Sequence, residues 1–263
     1  MAIDLFTIGR FTVHGYGLMI GIGFVLAVVI CGRITKNLGL SEDDFTNIAI
    51  CLLIFGFMGG KILYILVNIK QFIQNPLGLL GSEGFVVYGG IIVGIISIWI
   101  YCRIKKLSFL SYMDMMVPAV SITQGFGRVG CFLAGCCYGR PTDSHFGVIF
   151  PEGCLAPAGV RLVPTQLMSA AFDLCMAAFL IFMMRRVKYR GMVSGFYLIL
   201  YGVGRFIIEI FRGDPERGKV GALSTSQFIS VFMIIFAIGY IYCVNKAKIP
   251  TEYVPVSPEE KKA

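Results

Sequence analysis

The 263-residue sequence is poor in charge: Asp, Glu, Lys and Arg make up 14% of it, where an ordinary soluble domain carries about 25%. That shortage excludes a typical soluble enzyme. Disorder is excluded from the opposite side, because 22 Phe, 12 Tyr and 57% apolar residues are what a poorly hydrophobic, strongly charged chain lacks. No basic run has the aromatic interleaving of a nucleic-acid module, so no nucleic-acid partner is assigned and the net charge of +8 has to be read by position. The nine cysteines contain no Cys-x-x-Cys pair, which removes zinc-ribbon and thioredoxin-like motifs. No basic segment precedes residues 12–31 and no small-residue cleavage site follows them, so this stretch reads as a retained helix and not a signal peptide.

Long apolar runs are what the sequence has instead. Its mean hydropathy of +0.80 points to the bilayer. At about 20 residues per crossing, runs near 13–31, 45–67, 85–102, 109–127, 164–184, 191–211 and 223–243 predict an all-α integral membrane protein with about seven transmembrane helices. They form one polytopic domain over 1–248, with longer outer loops at 68–84 and 138–163 and a disordered cytoplasmic tail at 249–263. Grouping the basic residues by loop puts thirteen on one side and seven on the other. By the positive-inside rule the N-terminus faces out and the C-terminus faces the cytoplasm.

Three basic residues fall inside apolar segments: Lys61, Arg128 and Arg205. An ionised side chain at mid-membrane costs about 2.5–3.5 kcal/mol on insertion scales, so such groups face a bundle interior or snorkel to the interface. Tyr201, Arg205, Glu209 and Arg212 recur at helical spacing and share one face, which gives one helix a charged stripe near its outer end. An ion pair between Arg205 and Glu209 is one reading of that stripe. The excess of positive charge, with Arg128 and Lys61 also available, suits a phosphate, which Arg grips through two parallel hydrogen bonds.

Cys131, Cys136, Cys137 and Cys154 cluster at or near the outer face. Structural thiols, a disulfide from Cys154 to Cys136 or Cys137, and a metal site recruiting His145 all stay open on spacing alone. No metal or cofactor is assigned.

Several motifs occur in an order that resembles the bacterial prolipoprotein diacylglyceryl transferase family. These are Gly15-Tyr16-Gly17-Leu18-Met19, Gly59-Gly60-Lys61 with Tyr64, Tyr88-Gly89-Gly90, Gly127-Arg128-Val129-Gly130-Cys131-Phe132 running on to Gly139, Pro164-Thr165-Gln166-Leu167, and Tyr201-Gly202-Val203-Gly204-Arg205 running on to Arg212. The likeness extends from Tyr16 to about Asp214. Departures fall where chemistry is expected. Cys131, Ala134 and Cys136 stand where the family signature has Asn, Asn and Glu. Tyr88 stands where it has His, and Met168 and Ser169 where it has Tyr-Glu.

The resemblance implies a multi-pass enzyme of the bacterial inner membrane. Its reaction would move an sn-1,2-diacylglyceryl group from phosphatidylglycerol to the thiol of the lipobox Cys in a prolipoprotein signal peptide. It implies catalytic positions at Tyr16, Tyr88, Arg205 and Glu209, and phosphatidylglycerol-binding positions at Arg128, Lys61, Gly139 and Arg205. Tyr88 is expected to orient substrate, since a phenol with an ordinary pKa near 10 is a poor base. The identity of the base is open. The substituted signature also leaves room for a relative that lipidates a different acceptor, a lipid transporter, or a thiol-redox membrane protein.

Overall fold

The computed structural model describes residues 4–8, 11–82, 84–213 and 218–251. The predicted tail beyond Thr251, and four of the basic residues used in the loop count (Arg10, Arg217, Lys261 and Lys262), lie outside the described residues. A short antiparallel hairpin, β1 (Asp4–Ile8) and β2 (Phe11–His14), opens the chain. Then come α1 (Gly15–Asn37), α2 (Glu42–Val67), two single-turn helices α3 (Ile69–Gln74) and α4 (Pro76–Gly81), α5 (Val87–Lys105) and α6 (Phe109–Ala134). The outer loop holds a two-residue ladder of β3 (Val148–Ile149) and β4 (Arg161–Leu162). After it follow α7 (Thr165–Met184), α8 (Met192–Ile210), a second ladder of β5 (Lys219–Val220) and β6 (Leu223–Ser224), and α9 (Thr225–Ala247).

Long helices therefore stand at all seven predicted places. Among the described residues, six of them, all but α6, are long and apolar enough to cross a membrane. Their outward faces present Val25, Phe57, Ile92 and Phe236, side chains that suit lipid better than water. The protein is a multi-pass membrane protein. Helix α6 differs because it carries Asp114, Gln124 and Arg128 and packs against α1, α7 and α8, so its polar groups are shielded by protein.

Some ends differ from the sequence reading for local reasons. Helix α1 starts two residues later, because Thr12–His14 belongs to β2, and continues to Asn37, where Thr35 Oγ1 donates to the Cys31 carbonyl at 2.8 Å and the cation of Lys36 reaches the end of the helix. Helix α2 starts three residues earlier because Ser41 Oγ accepts from the Asp44 N–H at 3.1 Å, and three acidic residues follow in the first turn. Helix α6 runs seven residues past its apolar run and ends at Gly135, whose φ of 71° closes it with a left-handed cap.

Two contacts set the bundle geometry. Helices α2 and α5 touch backbone to backbone, since a Cβ on Gly59 would lie 2.5 Å from the Gly89 carbonyl oxygen. At the opposite end from the outer loop, buried Asp114 of α6 accepts from Gly191 N at 2.6 Å, Ser194 N at 2.8 Å and Ser194 Oγ at 2.8 Å. A carboxylate at the N-terminus of α8 satisfies that helix's free N–H groups and locks α6 against it.

Candidate active site

Facing turns of α6, α7 and α8 put polar side chains into the bundle. Arg128 comes from α6, Ser169, Phe172 and Asp173 from α7, and Tyr201, Gly204, Arg205 and Ile208 from α8. Ser169 stands three and four residues before Phe172 and Asp173, and Tyr201 three and four before Gly204 and Arg205, so each helix offers one face. The pocket between them measures about 10 Å³, room for about one water. A phosphate therefore enters only if side chains part. The roomier void, about 480 Å³, lies under the outer loop among Thr142, Phe146, Val148, Val163, Leu167 and Met168.

Arg205 is held in place. Its Nη2 lies 3.3 Å from Glu209 Oε2 one turn on, and donates to Ser226 Oγ at 3.0 Å. Glu209 is buried and accepts from Ser224 Oγ at 3.1 Å. Ser224 caps α9 through a reciprocal box with Gln227. The start of α9 thus aims Glu209, and Glu209 aims Arg205. Arg128 is different: no carboxylate among the described residues lies within 4 Å of its guanidinium, and Asp173 is the carboxylate that acts on it across the pocket. Asp173 is buried and within electrostatic range of both Arg128 and Arg205. Arg212 also acts on Arg205. Two guanidiniums, Arg128 and Arg205, thus line the pocket with one carboxylate, Asp173, a setting that attracts an anion.

The loops that roof this end are stitched by backbone. Gly139 N donates to Val163 O at 3.0 Å, Arg140 N to Phe211 O at 3.0 Å, and Val163 N to Arg140 O at 3.1 Å. A Cβ on Gly139 would sit 2.6 Å from Val163 O and 2.8 Å from Phe211 O. Only glycine allows three backbones to pass so closely.

Beside the pocket, the sulfurs of Cys131, Cys136 and Cys137 all lie within 4.8 Å of one another. All nine cysteines are free thiols. The neighbouring Cys131 and Cys136 thiols, then the charge of Arg212, hold Cys137 below the ordinary thiol range. The same contacts and burial push Cys136 up.

The sequence model of the prolipoprotein diacylglyceryl transferase family matches residues 4–243. The chain belongs to this family. Among similar proteins is the phosphatidylglycerol–prolipoprotein diacylglyceryl transferase of Clostridium tetani, 49% identical over 244 residues, which cover 92% of this chain and 97% of that one. The enzyme of the same name numbered 2 in Clostridium perfringens is 43% identical over 250 residues, covering 94% and 97%. That of Dehalococcoides mccartyi is 32% identical over 246 residues, covering 92% and 94%. The resemblance carried by the ordered motifs is borne out over nearly the whole chain.

Within this diacylglyceryl transferase fold, the residues singled out by sequence fall into two groups. Arg128, Arg205 and Glu209 gather at the pocket. Tyr16 packs beside them in the first turn of α1, where a Cβ on Gly130 would come 3.1 Å from its Cα, and Gly139 lies in the roof. Lys61 and Tyr88 stand apart on the α2–α5 pair. Lys61 Nζ donates to the Ser82 carbonyl at 2.6 Å and lies 5.3 Å from the Tyr64 ring centre, so its charge ties α2 to the loop. Tyr88 is half-exposed in the first turn of α5 and does not line the pocket.

Asp173, Ser169 and Tyr201 complete the lining, and Asp173 is the residue that sequence reasoning passed over. A signal was present, since Asp173 is the one acidic residue in the run 164–184, and an ionisable group inside a span marks a functional candidate.

Proposed function

We propose that this chain transfers the sn-1,2-diacylglyceryl group of phosphatidylglycerol to the thiol of a prolipoprotein lipobox Cys at the outer face of the bacterial inner membrane, with its N-terminus outside. The observation that carries the reading is Arg128, a half-buried guanidinium with no carboxylate within 4 Å among the described residues, facing an Arg205 already oriented by Glu209. Two forks of N–H donors across a narrow, water-poor pocket suit a phosphodiester in which charge grows as its ester bond breaks.

In the step we assign, the acceptor sulfur forms a bond to the glyceryl carbon while the bond from that carbon to the phosphate oxygen breaks. Glycerol phosphate leaves with the electron pair. Arg128 and Arg205 hold its oxygens and stabilise the added charge as it develops. The thiol proton passes to Asp173, the one carboxylate that lines the pocket among the described residues. Tyr16, beside Arg128 and Cys131, borders the approach of the acceptor, and Gly139 keeps the roof closed. No step is assigned to Tyr88 or Lys61.

Purified protein in mixed micelles, given phosphatidylglycerol and a lipobox peptide, tests this. The peptide should gain one diacylglyceryl mass for each glycerol phosphate released. Release of glycerol phosphate with an unmodified peptide would favour a different acceptor, and lipid movement without release would favour a transporter.

A further inference from the structure

The transfer leaves three neighbouring thiols unused. We propose that Cys131, Cys136 and Cys137 form a binding site for one soft, monovalent, thiophilic cation of the copper(I) class, held by three sulfurs.

The geometry carries the assignment. Three sulfurs around one ion at metal–sulfur distances near 2.3 Å stand about 4 Å apart, and these three already lie within 4.8 Å of one another. Small side-chain rotations close the set. A disulfide satisfies two sulfurs and leaves the third odd. The cluster does not extend to Cys154 or His145 among the described residues, so it offers three ligands and no fourth. Zinc in structural sites takes four, whereas soft thiolate sets favour copper(I).

The surroundings hold the ligands in place. Thr165 Oγ1 donates to the Cys137 carbonyl at 2.9 Å and Gln166 Nε2 to the Cys136 carbonyl at 2.8 Å, fixing both residues from the start of α7 as outer-shell partners do. Cys137 sits at φ 60°, a conformation that a residue with a Cβ adopts only where its surroundings impose it. Three thiolates on one monovalent cation carry two negative charges, which cationic side chains nearby favour. The charge of Arg212 acts on the Cys137 sulfur, and Arg128 lies one helical turn before Cys131. Binding releases the thiol protons to solvent.

The test uses the full chain in detergent under reducing, anaerobic conditions. Copper(I) is supplied as its acetonitrile complex against a colorimetric chelator, and zinc(II) is tested in parallel. The expected result is one copper(I) retained per chain with an all-sulfur first shell by X-ray absorption. Cys136→Ser should weaken retention at least about 100-fold, and Cys154→Ser should leave it unchanged. On the unaltered protein, copper should shield three thiols from N-ethylmaleimide, which keeps the test sharp if a variant misfolds. No retained copper, nitrogen or oxygen in its first shell, equal retention by Cys136→Ser, or tighter zinc than copper would each overturn the assignment. The diacylglyceryl transfer assay reads separately, so failure here leaves that function standing.

Discussion

Glu209 and Ser224 join two helices that the chain separates by a loop: Ser224 Oγ, the N-cap of α9, donates to Glu209 Oε1 at 3.1 Å, and the other oxygen of Glu209 faces Arg205 at 3.3 Å. Glu209 is therefore a positioning residue. Glu209→Gln keeps the hydrogen bond but loses the charge that aims Arg205. Transfer should fall about tenfold to a hundredfold, the usual cost of a group misplaced by about an ångström. Glu209→Asp should recover part of it. Steady-state kinetics against phosphatidylglycerol reads the effect, and an unchanged KM and kcat in Glu209→Gln would remove Glu209 from the account.

Arg128 is expected to touch phosphate directly. Arg128→Gln should abolish transfer while the protein still inserts in the membrane. Arg128→Lys keeps the charge without the planar fork, so it should remain about 10²–10³-fold below the parent, the scale of one lost transition-state donor. Membrane fractionation alongside the peptide assay separates inactivity from loss of the protein.

Asp173 takes the thiol proton in this scheme. Asp173→Asn should lower kcat by about 10²–10⁴-fold, the range of general-base contributions. The loss should shrink as pH rises and more of the acceptor is already thiolate. Asp173→Glu should restore part of the rate. A pH-independent loss would instead assign Asp173 a purely structural part between the two guanidiniums.

Gly139 is predicted to matter through packing. In Gly139→Ala the new Cβ meets Val163 O at 2.6 Å and Phe211 O at 2.8 Å, and overpacking of this kind costs about 1–3 kcal/mol. The thermal midpoint in detergent should drop by several degrees, at about 2–4 °C for each kcal/mol. An unaltered midpoint would show that the roof yields.

The fold was legible because hydrophobic length is a strong signal: every long helix stands where an apolar run predicted one. Helix ends moved where caps decide them, by three residues at Ser41 and by seven at Gly135, because hydropathy does not register a cap. Arg128 and Arg205 announced themselves as charges that lipid does not tolerate. Lys61 did too, yet its ammonium found loop carbonyls at Ser82, a pairing that no linear pattern encodes. Asp173 was masked by the apolar run around it. The closeness of Cys131 to Cys136 and Cys137 depends on how α6 terminates, which spacing alone does not fix.

The most direct measurement is complementation. The chain is expressed in cells depleted of their own diacylglyceryl transferase, and a reporter lipoprotein is followed by mass spectrometry. A diacylglyceryl mass shift on the lipobox Cys, lost with Arg128→Gln, is the result predicted. Well-inserted, well-expressed protein that leaves the reporter unmodified would contradict the proposed reaction.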